Sequence, residues 1–285
     1  MNIENGKASD ADLVVLAGGQ HFPINRISEC GVDDPKKQLP IQITYRSVVF
    51  DLSSLNFEGC KQYYYQLAPP HDSMGAVICP IEKGQAIATI VEYGRPDAIK
   101  TDFAGFLKLA EQVPGGEFSR ILKNGKPLTQ VSVFHKPSMY MRRPDKISDF
   151  PENVFCVGDV FCSLNPVFGQ GMTSALIQVQ LMDELLKSSN VSSKNYHKKS
   201  AVRLRLPFLL SKMGSNTQPD FFYRYLRSYL ARCQQSSEMH RKFLGALHLE
   251  RSFDSLIDMT SLRSALLSLS SQEAVSVKPR QKQHD

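Results

Sequence analysis

Residues 154–186 read VFCVGDVFCSLNPVFGQGMTSALIQVQLMDELL. The first four are apolar and predict a short buried strand that delivers Gly158 and Asp159 to its carboxyl end. Open α/β sheets bind their ligands at the carboxyl ends of strands, where an aspartate can accept hydrogen bonds from a sugar or polyol hydroxyl. This stretch therefore predicts a strand, a loop and a helix that together form a cofactor site.

The loop before the predicted helix is rich in turn residues. Pro166 stiffens the chain, and Gly169 and Gly171 let the backbone approach a ligand because they carry no side chain. Met172 is the predicted start of the helix, and the N–H groups at a helix start suit an anionic or electron-rich ligand edge. Apolar residues at helical spacing predict that one face packs in the core, and these are Ala175, Leu176, Val179, Leu181, Met182, Leu185 and Leu186.

Gly158-Asp159 followed by NPVFGQGM and a long helix resembles the second flavin-contacting motif of the FAD-dependent aromatic-hydroxylase-type monooxygenases. That superfamily includes the 2-polyprenyl-6-methoxyphenol hydroxylases of the ubiquinone pathway. The resemblance implies that Asp159 binds the ribityl chain of FAD and that Pro166 lies near the isoalloxazine ring. It also implies that the backbone of Gly169, Gln170 and Gly171 faces the pyrimidine edge, so the candidate cofactor-binding residues are Gly158, Asp159, Pro166, Gly169, Gln170, Gly171 and Met172.

The same pattern also fits an ordinary connection between a strand and a helix, in which the glycines serve backbone geometry alone. A second segment, residues 12–19 with the sequence DLVVLAGG, is similar to the family's DLVVDASG strand and turn. It departs from that pattern at Leu16, Gly18 and the nearby Phe22. The segment is therefore either a cofactor-contacting turn or only a buried strand with a Gly-Gly stop.

The fingerprint for the ADP half of FAD, G-x-G-x-x-G between a strand and a helix, does not occur in the sequence. Residues 1–10 are polar and give no strand pattern. We therefore expect that residues 11–267 correspond to the later part of the family's architecture, without its N-terminal Rossmann βαβ unit. A gene fragment, one half of a split enzyme and a degenerate homologue remain alternative explanations.

Composition indicates a globular chain of one or two domains, with 285 residues of which 42% are hydrophobic. The net charge is +6, yet the basic residues form no stripe interleaved with aromatics, so nucleic acid is not an expected partner. The basic run at residues 194–205, followed by LPFLL, suits either peripheral membrane contact or a solvated helix end.

The sequence contains no signal pattern and no long apolar run, which predicts a cytoplasmic protein. The six cysteines lack zinc-site spacing and predict reduced thiols without a metal site.

The predicted fold class is α+β. An antiparallel substrate-type sheet is expected from strands at 42–50, 63–67, 75–80, 85–92 and 128–141, with a turn at Lys83-Gly84 and a helix at 103–112 capped by Thr101 or Asp102. The sequence is expected to begin with a polar segment at 1–10 and a strand with a glycine turn at 11–30, followed by the sheet domain at 31–150. The flavin-contacting strand, loop and helix are expected at 151–187. A mostly helical region at 188–267, which starts with a polar connector at 188–199, then precedes a loose tail at 268–285.

The expected function is that of an FAD-dependent oxidoreductase of the monooxygenase or hydroxylase type, with NAD(P)H as a candidate electron donor. Its substrate would be an apolar or aromatic small molecule, and a separate chain could supply the dinucleotide-binding half. No catalytic residue is assigned, because tyrosines in a half-buried sheet usually serve packing and a single strand histidine is more often structural than a base. The substrate-side candidates are Tyr45, Arg46, Tyr63, Tyr64, Tyr65 and His135. The alternative is a non-catalytic remnant that serves as a ligand-binding or interaction module.

Overall fold

The computed structural model describes residues 11–22, 36–57, 61–65, 73–94, 102–188, 191–213, 221–251 and 253–276. In chain order the strands are β1 (Val14–Leu16), β2 (Lys36–Asp51), β3 (Tyr63–Tyr65), β4 (Met74–Ile81), β5 (Gln85–Tyr93), β6 (Ser132–Arg142), β7 (Val154–Cys156) and β8 (Cys162–Ser163). The helices are α1 (Phe103–Gln112), α2 (Glu117–Leu122), α3 (Gly171–Leu186), α4 (Ser193–Arg203), α5 (Arg205–Met213), α6 (Phe221–Cys233), α7 (Ser237–Leu247) and α8 (Met259–Ser276).

The chain forms two compact units. The first, which we call the sheet unit, consists mainly of Gln38–Met139. The second, which we call the flanking unit, contains the chain up to Lys37 and from Tyr140 onward. An antiparallel sheet, a parallel strand pair and a set of helices confirm the predicted α+β class.

The sheet unit contains an antiparallel sheet in the order β3-β4-β5-β2-β6. The five strands occur where they were predicted, except that β6 begins at Ser132 instead of 128; residues 66–67 lie outside the described ranges. Lys83 and Gly84 join β4 to β5 and adopt positive φ angles of 61° and 68°. Two successive positive φ angles give the tight turn whose twist matches antiparallel strands. The turn places Ile81 opposite Gln85 and so sets the register of β4 on β5. On its other edge β5 pairs with β2, from Ile43 opposite Tyr93 to Asp51 opposite Gln85.

Two helices complete the core of the sheet unit. Asp102 caps α1, as predicted, by accepting a hydrogen bond from the N–H of Gly105 at 2.8 Å. The helix α2 was not predicted, because its 6 residues are too few to show the spacing of apolar residues that identifies a helix. It contributes Phe118, which is fully buried and packs on the ring of Tyr63 at 5.7 Å between centroids.

In the flanking unit, β1 and β7 form a parallel pair that aligns Val14 with Val154 and Leu16 with Cys156. The described helices of this unit are α3 to α8, and a second apolar core lies among them, around Leu206, Tyr225 and Tyr229.

No helix in the described ranges has the length and apolar character required to cross a bilayer. The four cysteines with described structure are thiols rather than disulfides, namely Cys79, Cys156, Cys162 and Cys233.

Two predictions about the helical region were wrong. The expected polar connector at 188–199 contains the start of α4, which Ser192 caps by accepting a hydrogen bond from the N–H of Asn195. This helix escaped prediction because it packs through Tyr196, His197 and Ser200 rather than through an aliphatic stripe. The expected loose tail begins inside α8, which runs to Ser276 because a helix already formed against α6 propagates through residues without Gly or Pro. Residues 277–285 lie outside the described part.

The apolar face expected for α3 was wrong in part, because Leu185 is buried as expected but Leu176 and Val179 are exposed. The residues of α3 that are fully buried are Ser174, Gln178 and Leu185, whereas Leu176 is 68% exposed. Leu181 and Met182 pack at the edge of the buried side, but the remaining apolar stripe lies on the opposite side of the helix. The inner face is polar because it binds the backbone of the loop that precedes the helix, as described below.

The outer edge of β7 is held by two side chains of α4. The Nε2 atom of His197 accepts a hydrogen bond from the N–H of Cys156 at 3.0 Å, and the hydroxyl of Tyr196 donates to the carbonyl of Cys156 at 3.1 Å. Both side chains have no exposed surface. Burial lowers the pKa of His197 to about 4, so the ring stays neutral and keeps the lone pair that the Cys156 N–H requires.

Replacing Phe118 by alanine is expected to lower the free energy of unfolding by about 3–5 kcal/mol, because a fully buried aromatic ring leaves a cavity. The matched variant is Phe134→Ala, where the ring is 46% exposed, and its effect should be much smaller. Urea denaturation followed by circular dichroism measures both. Equal effects of the two substitutions would contradict the placement of α2 in the core.

The free energy of unfolding should fall as the pH is lowered from about 6.5 towards 4, because the unfolded chain takes up a proton at His197 that the folded chain excludes. The expected contribution of this residue is about 1.4 kcal/mol per pH unit in that window and no change above it. His197→Gln keeps an acceptor for the Cys156 N–H and cannot titrate, so its stability should vary less with pH. If the free energy of unfolding changed with pH equally in the wild type and in His197→Gln, a buried neutral imidazole at His197 would be excluded.

Candidate cofactor site

The turn after β7 is fixed by a buried amide side chain on α3. Gly158 has a φ angle of +64°, which favours glycine, and its N–H donates to Oε1 of Gln178 at 3.1 Å. The Nε2 atom of Gln178 in turn donates to the carbonyl of Ser174 at 3.1 Å, one turn earlier on the same helix. Gln178 has no exposed surface, so the position of the turn is tied to that of the helix.

Asp159 lies at the carboxyl end of β7, as predicted. Its Oδ2 atom accepts a hydrogen bond from the hydroxyl of Ser163 at 2.9 Å, and the residue is half-buried. This contact orients the carboxylate group while part of the residue stays accessible to solvent. An ionised carboxylate in this position can accept hydrogen bonds from a polyol.

Tyr140 connects the two glycine segments that the sequence indicated. Its hydroxyl lies 2.9 Å from the carbonyl of Gln20, just beyond the first segment, and 2.8 Å from the carbonyl of Asp159 in the second. The guanidinium of Arg142 lies over the Tyr140 ring, 4.6 Å from its centroid, and donates to the carbonyl of Val160. Sequence reasoning missed both residues, because only the tertiary fold places the end of β6 beside these turns.

The loop from Asn165 to Gly171 is held by its own hydrogen bonds. Asn165 is buried, and its Oδ1 accepts from the N–H of Val167 at 3.1 Å, which sets Pro166 at the start of a single 3-10 turn. Gly169 closes the turn at a φ angle of +64°, and its N–H donates to the carbonyl of Pro166 at 3.0 Å. Pro166 and Gly169 are both exposed, so the preformed loop presents them to solvent.

The start of α3 is open. Gln170 precedes the helix without a side-chain cap, and a Cβ added at Gly169 or Gly171 would meet no atom within 4 Å. The side chain of Gln170 points away, because its Nε2 donates to the carbonyl of Leu247 at 2.9 Å. Met172 is 81% exposed. Uncapped N–H groups beside open space can bind an anionic or electron-rich ligand edge.

The first glycine turn offers less room. A Cβ on Gly18 would lie 2.5 Å from Cδ2 of Phe22, because this aromatic ring packs against the glycine. The departure from the family pattern at Phe22 therefore has a structural consequence, since its ring occupies the space beside the turn. A Cβ added at the neighbouring Gly19, in contrast, would meet no atom within 4 Å, so only the Gly18 side of this turn is filled.

The substrate-side candidates occupy the sheet unit. Arg46 is buried and pairs with Glu92, while Thr44 Oγ1 lies 2.9 Å from Nδ1 of His135. Burial raises the pKa of Tyr45, whose hydroxyl is buried without a hydrogen-bond partner among the described residues. Tyr63 packs in the core and Tyr64 is 59% exposed. These contacts give Arg46 and His135 structural partners and assign no catalytic role.

No protein-family profile matches the sequence. A curated relative, Protein Rv3254 of Mycobacterium tuberculosis, is 31% identical over 190 residues, which are 65% of this chain and 39% of that protein. This chain therefore spans well under half of the curated relative that it matches.

Solved structures share the fold at low sequence identity. A triple mutant of the flavin-dependent brominase Bmp2 matches 91% of this chain and 63% of its own, with 15% identity and a TM-score of 0.57. HpxO of Klebsiella pneumoniae, in complex with FAD and uric acid, matches 92% of this chain and 62% of its own, with 13% identity and a TM-score of 0.55. The Diels-Alderase PyrE3 matches 86% of this chain and 51% of its own, with 13% identity and a TM-score of 0.60. The predicted resemblance to FAD-dependent hydroxylase-type proteins is therefore confirmed for the fold, over roughly half to two-thirds of the length of these structures.

Proposed function

We propose that this chain binds the flavin half of FAD and belongs to an FAD-dependent monooxygenase or related oxidoreductase that acts on an apolar or aromatic small molecule. The observation that carries the proposal is the pairing of Asp159, at the carboxyl end of β7, with the uncapped, glycine-flanked start of α3. Both features belong to the flanking unit, and the buried Gln178 of α3 accepts a hydrogen bond from the N–H of Gly158, the residue before Asp159. NAD(P)H is the proposed electron donor.

Each candidate residue has a distinct role in this proposal. Asp159 would accept hydrogen bonds from ribityl hydroxyls, since Ser163 already orients its carboxylate. The backbone N–H groups at Gly171 and Met172 would face the electron-rich edge of the ring, and Pro166 would lie beside it. When bound, the flavin supplies the redox chemistry with oxygen, while the protein binds and orients it.

The described residues offer nothing comparable for the ADP half of FAD. Phe22 packs against Gly18 in the turn that follows β1, and the sequence lacks the glycine fingerprint that would seat a pyrophosphate. The chain should therefore recognise the isoalloxazine and ribityl parts alone. A separate nucleotide-binding unit, as an additional partner, would supply the remaining contacts.

The test is a fluorescence titration of the purified chain with riboflavin and with FAD. We expect both to bind with affinities within about a factor of ten of each other, because the contacts lie on the part that the two share. Asp159→Asn should weaken both by about tenfold or more, since it removes a charge-assisted hydrogen bond to a hydroxyl.

The matched control is Asp149→Asn, an exposed carboxylate of the flanking unit outside the site, which should leave both affinities unchanged. Circular dichroism verifies that each variant is folded. If neither ligand binds the wild-type chain, the proposed flavin site is wrong, and the non-catalytic interaction module becomes the better explanation. If Asp149→Asn weakens binding as much as Asp159→Asn does, the effect is a general one of charge.

A further inference from the structure

Helix α7 ends in a turn that binds most of its own last carbonyl groups. The last four carbonyls of a helix have no partner inside the helix. In α7, the N–H groups that follow the helix bind the carbonyls of Leu244, Gly245 and Ala246 at distances between 2.8 and 3.1 Å. The carbonyl of Leu247 accepts instead from the side chain of Gln170, whose Nε2 lies 2.9 Å away. The loop that precedes α3 therefore caps the end of α7.

The turn after α7 has an unusual backbone conformation. Leu249 has a φ angle of +64°, in the left-handed region that residues other than glycine rarely adopt. This conformation turns the chain back, so that the N–H groups of residues 248–251 reach the carbonyls of the last helical turn. Strained residues of this kind cluster at functional sites. Because the turn binds three carbonyls and leaves that of Leu247, the conformation of Leu249 determines where Gln170 can bind.

The amide of Gln170 has a specific contact that packing alone does not explain. The residue is 6% exposed, and its Oε1 atom is buried without a hydrogen-bond partner among the described residues. An unpaired buried acceptor lowers stability, whereas an apolar side chain of similar shape would leave none. The amide provides, in exchange, the donor that binds Leu247. A side chain that only filled space would not need this donor.

The backbone of Gln170 joins the candidate cofactor loop to α3. Its carbonyl accepts a hydrogen bond from the N–H of Ser174 at 2.9 Å, in the first turn of the helix. On its other side, Gly169 ends the 3-10 turn with its N–H bonded to the carbonyl of Pro166. The side chain and the backbone of one residue therefore tie the end of α7 to the open start of α3. The glycines on either side of Gln170 have no side chain that could hold the loop in its place.

We propose that Gln170 is a positioning residue, whose side chain anchors the loop of residues 165–171 to the end of α7 and so holds the open start of α3 in place for the cofactor. Helix α7 and its turn then contribute to the cofactor site through Gln170. The inference rests on the proposed function for the identity of the cofactor. The anchoring itself can be measured without any ligand, so the two can fail separately.

Gln170→Met tests the anchor, because methionine has a similar shape and cannot donate a hydrogen bond. In the ligand-free chain, the amides of Gly169 and Ser174 should exchange with solvent about tenfold faster or more, as measured by NMR, since the loop that protects them opens more often. Riboflavin, titrated by fluorescence, should bind about fivefold more weakly or worse, because a loose loop must be ordered on binding. The melting temperature should change little, since removal of the unpaired Oε1 atom offsets the lost hydrogen bond.

The matched control is Gln180→Met on the exposed side of α3, where the Nε2 atom of Gln180 donates to Glu184 at 3.3 Å. It removes a side-chain hydrogen bond from the same helix and should leave both exchange and affinity unchanged. A second pair of variants tests the turn after α7. Leu249→Gly favours the left-handed conformation, whereas Leu249→Val opposes it. We expect only Leu249→Val to speed exchange at Ser174 and to weaken riboflavin binding.

The proposal is overturned if Gly169 and Ser174 exchange at wild-type rates in Gln170→Met, or if Gln180→Met has an equal effect. Faster exchange with unchanged riboflavin affinity also overturns it, because Gln170 would then be structural only. If the wild-type chain binds no riboflavin, the proposed function fails, and the exchange rates still decide whether Gln170 anchors the loop. If Gln170→Met does not fold, the Leu249 pair decides, and equal behaviour of its two variants overturns the proposal.

Discussion

The hydrogen bonding of β7 on both of its edges is the constraint on which the candidate site depends. On one edge β1 bonds the strand, and on the other the side chains of Tyr196 and His197 replace a neighbouring strand. A strand of three residues has too few backbone hydrogen bonds to hold its own position. Because both edges are satisfied, β7 delivers Gly158 and Asp159 to a defined point, and Gln178 can then bind the turn from α3.

Features that depend on neighbouring residues were predictable from the sequence. Asp102 caps a helix and Lys83-Gly84 forms a hairpin turn because a few residues determine each of these conformations. The same holds for the loop at Pro166 and Gly169, whose hydrogen bonds close within the loop itself. These local signals, together with the motif around Asp159, predicted the fold class and the place of the candidate site.

Features that depend on distant residues were not predictable. Tyr140 lies 120 positions from Gln20, and only the folded chain brings its hydroxyl to both glycine turns. His197 lies in the basic run that suited either membrane contact or a solvated helix end, yet it faces inward on α4 and is fully buried. Periodicity placed Leu176 and Val179 on the packed face of α3, because it counts apolar residues and cannot detect that Gln178 binds a backbone N–H.

The orientation of α3 follows from its part in the candidate cofactor site. Its inner face carries Ser174 and Gln178, which hold the turn, beside the buried Leu185, while Leu176 and Val179 face outward. Met172 is 81% exposed and lies one position beyond Gly171 at the open helix start. A ligand that covers Met172 would therefore also exclude water beside the start of α3. Hydrogen bonds from the helix start to a flavin are stronger in a site from which water is excluded.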